Sequence, residues 1–305
     1  MRLSLVVVYL ALVVLSIQQL PAFAAFVGLP LTASLQPTPS FAPALSTNLT
    51  PRAFLPIVHS NPLCPATGET YTLIGVNGPY YKNNALTDEN PDFRLSILGY
   101  VPVNEPLQLV SYGSGIPDPD PPRFPGIFAP ERLPAFVAAY KRRDWNWNES
   151  GPPPYGTPGG ANNDWPVSVL DLATVPGEFI HIPKRNAPNN PSGTVAMVLY
   201  VDEDEIAVHY GDQDRVDSGY VVYLLNFCVD PNLVALYRAQ LSNGRRATGQ
   251  LPAIRNGQRI GIANRNYVTV ALRDTAMFMD PRDRSWWPGY AHIATLPLGR
   301  PKRQP

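Results

Sequence analysis

The sequence predicts a mainly β protein, because its C-terminal half is a series of short β-branched runs separated by turn residues. Residues 194–201, 219–224 and 266–273 are rich in Val, Tyr, Thr and Leu, and Gly, Asn and Asp lie between them. Proline makes up 36 of the 305 residues, yet the segment 192–280 contains only two of them. Since proline cannot donate a hydrogen bond to a sheet, this segment is where continuous strands can form.

The charge balance gives no support for a nucleic-acid partner. The chain contains 24 Lys and Arg residues and 24 Asp and Glu residues, so its formal net charge at pH 7 is zero. Binding to nucleic-acid phosphates requires a basic excess, which is absent from this composition. The sequence also contains no phosphate-binding loop, dinucleotide fingerprint or Gly-x-Ser-x-Gly motif, so we expect no cofactor.

Residues 1–24 are typical of a signal peptide. Arg2 supplies the positive charge, an apolar run follows, and Pro21-Ala-Phe-Ala24 offers small residues for cleavage after Ala24. The alternative is an uncleaved anchor, because about 20 apolar residues suffice to cross a bilayer. In both cases we expect an exported protein that is secreted, periplasmic or at the cell surface. Membrane contact is expected only through an uncleaved N-terminal segment.

Composition divides the rest of the chain into four segments. Residues 25–62 are rich in Pro, Thr and Ser and predict a flexible spacer. Residues 63–165 alternate short apolar runs with Pro and Gly and predict a loop-rich β region. Residues 166–290 predict a C-terminal antiparallel β-sheet or barrel-like domain, and residues 291–305 a basic tail. The two β regions can be separate domains or one elaborated sheet.

The loop-rich region contains four predicted strands, at residues 72–76, 93–101, 107–111 and 136–147. The stretch 135–143 can equally form a helix, because its apolar spacing does not distinguish the two. Residues 151–160 consist mainly of Pro and Gly and are predicted to be a loop.

Four aromatic residues, Trp145, Trp147, Tyr155 and Trp165, are the candidate binding surface. Asn and Asp residues lie between them in the sequence. A sugar ring has an apolar face and a hydrogen-bonding rim, so aromatic rings beside amides and carboxylates suit it, and the same rings can anchor a protein partner. The alternative is that these aromatics fill a small core beneath the loops.

The two cysteines, Cys64 and Cys228, predict one disulfide in an exported chain. It would join the start of the folded region to the C-terminal sheet. The alternative is a pair of buried free thiols.

One helix is predicted in the C-terminal domain, at about residues 231–243. Asp230 suits the N-cap, Pro231 suits the first helical position, and Asn243-Gly244 suits the end.

Three charged segments are assigned structural roles. The acidic segments 202–205 and 212–219 are expected to be solvated turns rather than cation sites. Residues 280–287 are expected to close the domain, with two tryptophans packed over its end and arginines paired to acids. The alternative for 280–287 is a rim that binds a partner.

The C-terminal domain contains the landmarks of a known family. In order they are Leu170-Asp-Leu-Ala173, Ile182-Pro183, Gly257-Gln-Arg-Ile-Gly261, Arg273-Asp274 and Asp280-Pro281. In their order and spacing, residues 166–287 resemble the lysostaphin-type metallopeptidase barrel. That family holds zinc with a His, an Asp four residues later and the second His of a His-x-His pair.

The resemblance implies a barrel whose metal ligands are mostly missing. The positions of the family's first histidine, its aspartate and its His-x-His pair fall on Val167, Asp171, Tyr267 and Thr269, so Asp171 is the one remaining ligand-like residue. The resemblance therefore implies no catalytic residue and no resident metal, and a domain used for binding or scaffolding.

We accordingly expect a non-catalytic envelope or extracellular binding or scaffold protein. Its partner would be cell-wall glycan, peptide or another envelope protein. One alternative is a metal-dependent, cell-wall peptidase-like hydrolase with unusual ligands, for which His181, His209 and Asp171 are the candidates. The other alternative is a structural surface component.

Overall fold

The computed structural model describes residues 64–77, 89–113, 120–148, 150–151, 154–186, 193–290, 292–293 and 295–299. The predicted signal peptide and spacer, and the end of the basic tail, lie outside the described residues. Within the described ranges, no helix has the length and apolar character needed to cross a membrane.

The described residues are mainly β. The strands are β1 Thr72–Gly75, β2 Tyr100–Val103, β3 Val110–Ser111, β4 Phe136–Trp147, β5 Gly156–Ala161, β6 Val169–Ala173, β7 Phe179–His181, β8 Thr194–Val201, β9 Glu205–His209, β10 Tyr220–Leu225, β11 Cys228–Val229, β12 Leu241–Ser242, β13 Arg245–Arg246, β14 Gln250–Arg255, β15 Arg259–Ile262, β16 Tyr267–Asp274, β17 Met277–Met279 and β18 Leu296–Pro297. The helices are α1 Leu95–Leu98 and α2 Pro231–Arg238, with 3₁₀ turns at Phe124–Ile127 and Arg284–Trp286.

One antiparallel sheet joins strands from both predicted β regions. Its order is β1-β14-β8-β9-β10-β16-β6-β4-β2, with β17 beside β16 and β5 beside β4. Strands β1, β2, β4 and β5 come from the loop-rich region, and β4 pairs directly with β6 of the C-terminal region. A smaller sheet has the order β11-β15-β7.

The central strands are covered on both faces, since every residue of β8, β9 and β10 is buried. On one face, Tyr220 packs edge-on to Trp286 with ring centroids 5.9 Å apart. On the other face, Tyr223 stacks on Phe278 with centroids 5.6 Å apart. Strands that are buried on both faces have continuous apolar runs in their sequence, which explains why these strands could be predicted.

The segment 280–287 closes the domain as predicted. Trp286 and Trp287 are buried, and the fully buried Arg282 donates to the Asp280 carboxylate at 2.7 and 3.0 Å. Both tryptophans contact Phe124. The alternative of a partner-binding rim does not fit side chains that are inside the core.

Strand 136–147 is confirmed, and the helical alternative for 135–143 is wrong. The predicted strand 93–101 is also wrong, because it begins with helix α1 and only then enters β2. The helical turn directs Leu95 and Leu98, three residues apart, into the core together. Gly99 follows with a φ of 77°, which ends the turn.

The predicted loop 151–160 is wrong at its second half, which is strand β5. Pro158 is tolerated there because β5 lies beside β4 at the margin of the sheet, where a missing N–H is not needed for a further strand.

Helix α2 begins as predicted, with Asp230 accepting a hydrogen bond from the Asn232 backbone N–H at 2.8 Å. The predicted end at residue 243 is wrong, because the helix ends at Arg238. Asn243 and Gly244, with φ of 52° and 70°, instead form the two-residue turn between β12 and β13. Such a turn needs positive φ at both positions, which Asn-Gly supplies as readily as it ends a helix.

The acidic turn 202–205 is only partly solvated, so the prediction of an exposed bend is wrong for Glu205. That side chain is buried and accepts hydrogen bonds from the Ser96 backbone N–H at 3.0 Å and from the Ser96 hydroxyl. Arg94 donates to both Glu205 and Asp202. The charge is accommodated because α1 brings donors to it.

Cys64 and Cys228 form a disulfide, which confirms the predicted pairing. The bond joins the first described residue of the chain to strand β11.

A candidate ligand-binding surface on the β4–β5 hairpin

The second half of β4 leaves the main sheet and pairs with β5. Strand β2 pairs with β4 only as far as Arg142, whereas Trp147 pairs with Gly156. The hairpin is extended by the Asn148 backbone N–H, which donates to the Tyr155 carbonyl at 2.8 Å. Residues 144–148 and 155–160 therefore form a two-stranded arm at the margin of the sheet.

Trp145 and Trp147 lie on the same face of this arm, because side chains two residues apart in a strand share a face. Their ring centroids are 6.2 Å apart and the rings are inclined by 69°. Trp147 is 53% exposed, whereas Trp145 is half-buried and packs against the core. Trp145 thus supports the outer ring, and Trp147 presents its surface to solvent.

Gly156 is required for this arrangement. Its φ is 150°, and a Cβ at this position would lie 2.3 Å from the Asn146 carbonyl oxygen and 2.6 Å from the Trp145 indole nitrogen. The indole of Trp145 therefore lies directly over a residue without a side chain. Gly156 was missed by the sequence reasoning, which assigned it to a loop. The aromatic residues spaced by two, Trp145 and Trp147, were the signal that a paired strand was present.

Tyr155 is 37% exposed and adjoins Gly156 at the end of the arm. It has a φ of 58°, in the left-handed region. The amide side chains of Asn146 and Asn148 belong to exposed residues of the same arm. We call Trp145, Trp147 and Tyr155 the aromatic surface.

Trp165, the fourth predicted aromatic, lies elsewhere. Its ring packs edge-on against Tyr112, with centroids 4.8 Å apart. The Tyr112 hydroxyl in turn donates to Asp280 at 2.5 Å. Trp165 thus belongs to the packing around the closing segment. Of the four predicted residues, Trp145 and Trp147 are in ring contact, and Tyr155 lies on the same arm.

The positions that resemble a metallopeptidase site also lie side by side, on β6 and β16. Asp171 is directly opposite Thr269, whose hydroxyl donates to the carboxylate at 2.5 Å. The Tyr140 hydroxyl donates to the other carboxylate oxygen at 2.8 Å. Asn226 donates to the Thr269 hydroxyl oxygen at 2.8 Å. Burial raises the pKa of Asp171, and the hydrogen bonds from Thr269 and Tyr140 oppose the rise.

The other two positions of the resemblance, Val167 and Tyr267, add no histidine beside Asp171. Val167 is fully buried in the apolar core, and Tyr267 is half-buried on β16. Phenol and hydroxyl groups are weaker zinc ligands than imidazole and thiolate.

The alternative metal site at His181, His209 and Asp171 is not formed. His181 Nδ1 is hydrogen-bonded to the Ile127 carbonyl, and His209 Nε2 to the Ser218 carbonyl. Burial lowers the pKa of both histidines, which keeps the rings neutral. Across the residues that the structure describes, no three His, Cys, Asp or Glu side chains converge as a metal site.

Comparison with known proteins gives no relative for this chain: no family model, no curated protein and no solved structure matches it.

Proposed function

We propose that this protein is an exported, non-catalytic binding protein that attaches to cell-wall glycan through the aromatic surface. The observation that supports the proposal is the exposure of Trp147, at 53%, and of Tyr155, at 37%, on the same two-stranded arm. The part of the Trp147 ring that lies in solvent is free to contact a ligand, and neighbouring exposed aromatic residues are typical of binding surfaces.

The chemistry of the arm favours a sugar over a purely apolar ligand. The exposed Trp147 and Tyr155 offer flat apolar faces, and the amides of Asn146 and Asn148, which alternate with the tryptophans in sequence, lie on the opposite face of the same arm. A pyranose ring needs both, because its C–H face is apolar and its hydroxyls lie at the rim. A glycan chain that wraps the arm would contact the aromatic rings on one face and the amides on the other, which a purely apolar partner cannot use.

Export rests on the predicted signal peptide and on the disulfide. A disulfide between Cys64 and Cys228 fits an oxidising compartment, since cytosolic thiols are kept reduced. Both features favour a protein that works outside the cytosol.

The absence of catalysis is part of the proposal and is supported by the residue types at the peptidase-like positions. Val167, Tyr267 and Thr269 stand where the family has histidines, and Asp171 is engaged by hydroxyl donors. Metal analysis of the purified protein tests this. Zinc at one equivalent per chain that is lost in Asp171→Ala would show the hydrolase alternative to be correct.

Retention on isolated cell wall tests the binding role. Trp147→Ala and Tyr155→Ala should each reduce retention about tenfold, the loss expected when one aromatic anchor of roughly 1–2 kcal/mol is removed. Phe179→Ala is the matched control, because Phe179 is an aromatic of similar exposure, 38%, on a different strand. Retention that is unchanged in both hairpin variants, or equally reduced in the control, would contradict the proposal.

A further inference from the structure

Residues 64–77, which we call the strap, cover the outer edge of the main sheet. Strand β1 within the strap pairs with β14 from Thr72 opposite Ala253 to Gly75 opposite Gln250. The pairing continues through Val76, whose N–H donates to the Gly249 carbonyl at 2.8 Å. Within the described residues, β1 is the only strand on this side of β14.

The strap has less apolar anchoring than the central strands. Thr67, 6% exposed, is its one buried residue, and Tyr71, Ile74 and Val76 pack against the core while remaining half-buried. By contrast, every residue of β8, β9 and β10 is buried. A segment with few buried apolar contacts opens locally at a lower free energy than the core does.

Polar contacts hold the strap at several points, including Glu69 with Arg255 at 3.2 Å, the Thr70 carbonyl with Gln258 at 2.9 Å and the Asn77 N–H with the Asp212 carbonyl at 2.7 Å. The Thr67 N–H donates to the Asp230 carboxylate at 2.9 Å, and the Thr67 hydroxyl donates to the same oxygen. The Tyr71 hydroxyl donates to the Arg259 carbonyl at 2.9 Å. Net contributions of such bonds are about 0.5–1.5 kcal/mol each, and more where the partner is charged.

The disulfide fastens the strap at its beginning. Cys64 opens the strap, and Cys228 lies on β11, which pairs with β15 and belongs to the smaller sheet. With the bond closed, both ends of the strap are tied to the folded body, so its opened state gains little chain entropy. With the bond open, one end is released and that entropy is recovered.

We propose that the Cys64–Cys228 disulfide is a redox latch that keeps the strap on the sheet edge, and that its reduction frees β14 to pair with the strap of a second copy of this chain. The reductant is a dithiol: it gives two electrons and two protons, the S–S bond becomes two thiols, and the dithiol becomes a disulfide. The freed edge would be apolar, since Leu251, Ala253 and Ile254 are buried, and such edges recruit other strands.

Hydrogen exchange tests the latch. The oxidised protein, the same protein reduced with dithiothreitol, and the Cys64→Ser/Cys228→Ser variant are compared. In the reduced protein and in the double-serine variant, the Val76 and Asn77 amides should exchange at least about tenfold faster than in the oxidised protein, while the amides of β10 keep their exchange rates. Equal acceleration in the strap and in β10, or no acceleration in the strap, would overturn the latch.

A labelled peptide with the sequence of residues 64–77, carrying Ser in place of Cys64, tests the edge. It should bind the double-serine variant saturably and leave the oxidised protein unbound. Fast strap exchange without peptide binding would overturn the assignment of β14 as the receiving strand. Thr67→Val is the matched control, because it removes a polar contact and keeps the disulfide. It should accelerate exchange of the strap less than the double variant does.

Discussion

The buried ion pair between Asp214 and Arg246 should make the fold sensitive to a single substitution at either residue. Both side chains are 2% exposed, and Arg246 donates to the Asp214 carboxylate at 2.8 Å. Arg246 also donates to the Leu199 carbonyl at 2.6 Å and lies over the Phe93 ring at 4.8 Å. The pair therefore connects β13 to the centre of the sheet.

Removing one partner leaves the other charge buried. Asp214→Ala and Arg246→Met should each lower the free energy of unfolding by about 3–5 kcal/mol, because a buried charge without its partner is strongly unfavourable. The double variant buries no charge, so its loss should be clearly smaller than the sum of the two single losses. Urea denaturation of the four proteins measures this coupling.

The exposed pair formed by Glu203 and Arg238 is the matched control. Its N to O distance is also short, 2.7 Å, but its side chains are 58% and 55% exposed. Arg238→Met should change the free energy of unfolding by less than about 1 kcal/mol, because solvent screens the attraction. A loss below about 1 kcal/mol in Asp214→Ala, like that of the control, would refute the reasoning that burial sets the magnitude.

Three further substitutions have expected outcomes. Trp287→Ala removes a fully buried indole and should lower the free energy of unfolding by about 3–5 kcal/mol in urea titration; a loss under about 1 kcal/mol would contradict its place in the core. Gly156→Ala should abolish cell-wall retention with little change in melting temperature, because its Cβ would collide with the Asn146 carbonyl in the arm and not in the sheet. Burial lowers the pKa of His209, so as pH falls the unfolded chain takes up a proton first, near its ordinary pKa of about 6.5. The folded state therefore keeps this stabilisation above about pH 6.5 and loses it as pH falls towards the lowered pKa, and His209→Gln should flatten that part of the urea-derived stability curve. A slope that is unchanged in His209→Gln would contradict a contribution from His209.

The central strands were predictable from sequence, whereas the elements around them depended on long-range contacts. Strands β8 and β10 are continuous runs of β-branched and aromatic residues, and burial on both faces gives such runs. Helix α1 was read as a strand because four residues carry no helical period. The helix is stabilised by the contact of Ser96 with Glu205, which lies 109 residues away. The local sequence pattern carries no information about such a distant contact.

The same limit applies to the candidate site. The aromatic residues were identified by type, and the sharing of a face by Trp145 and Trp147 follows from their spacing. The separation of Trp165 could not be predicted, because it depends on packing against Tyr112. The expectation that 212–219 is a solvated turn is wrong for Asp214, which is buried. The buried roles of Glu205, Asp214 and Arg246 were hidden because acidic turn residues and an arginine near Asn-Gly look the same in a sequence when they are solvated.

The buried Asp171 and the exposed Trp147 are the two candidate positions for a ligand, and they differ in the free energy needed to make them accessible. A ligand at Asp171 would have to displace the hydroxyls of Thr269 and Tyr140 from a buried carboxylate, and each lost hydrogen bond to a charged group costs about 1.5–3 kcal/mol. A ligand at Trp147 displaces only solvent from a ring that is already exposed. Binding at the hairpin therefore requires no rearrangement of the sheet, and Asp171→Asn should leave cell-wall retention unchanged while Trp147→Ala reduces it.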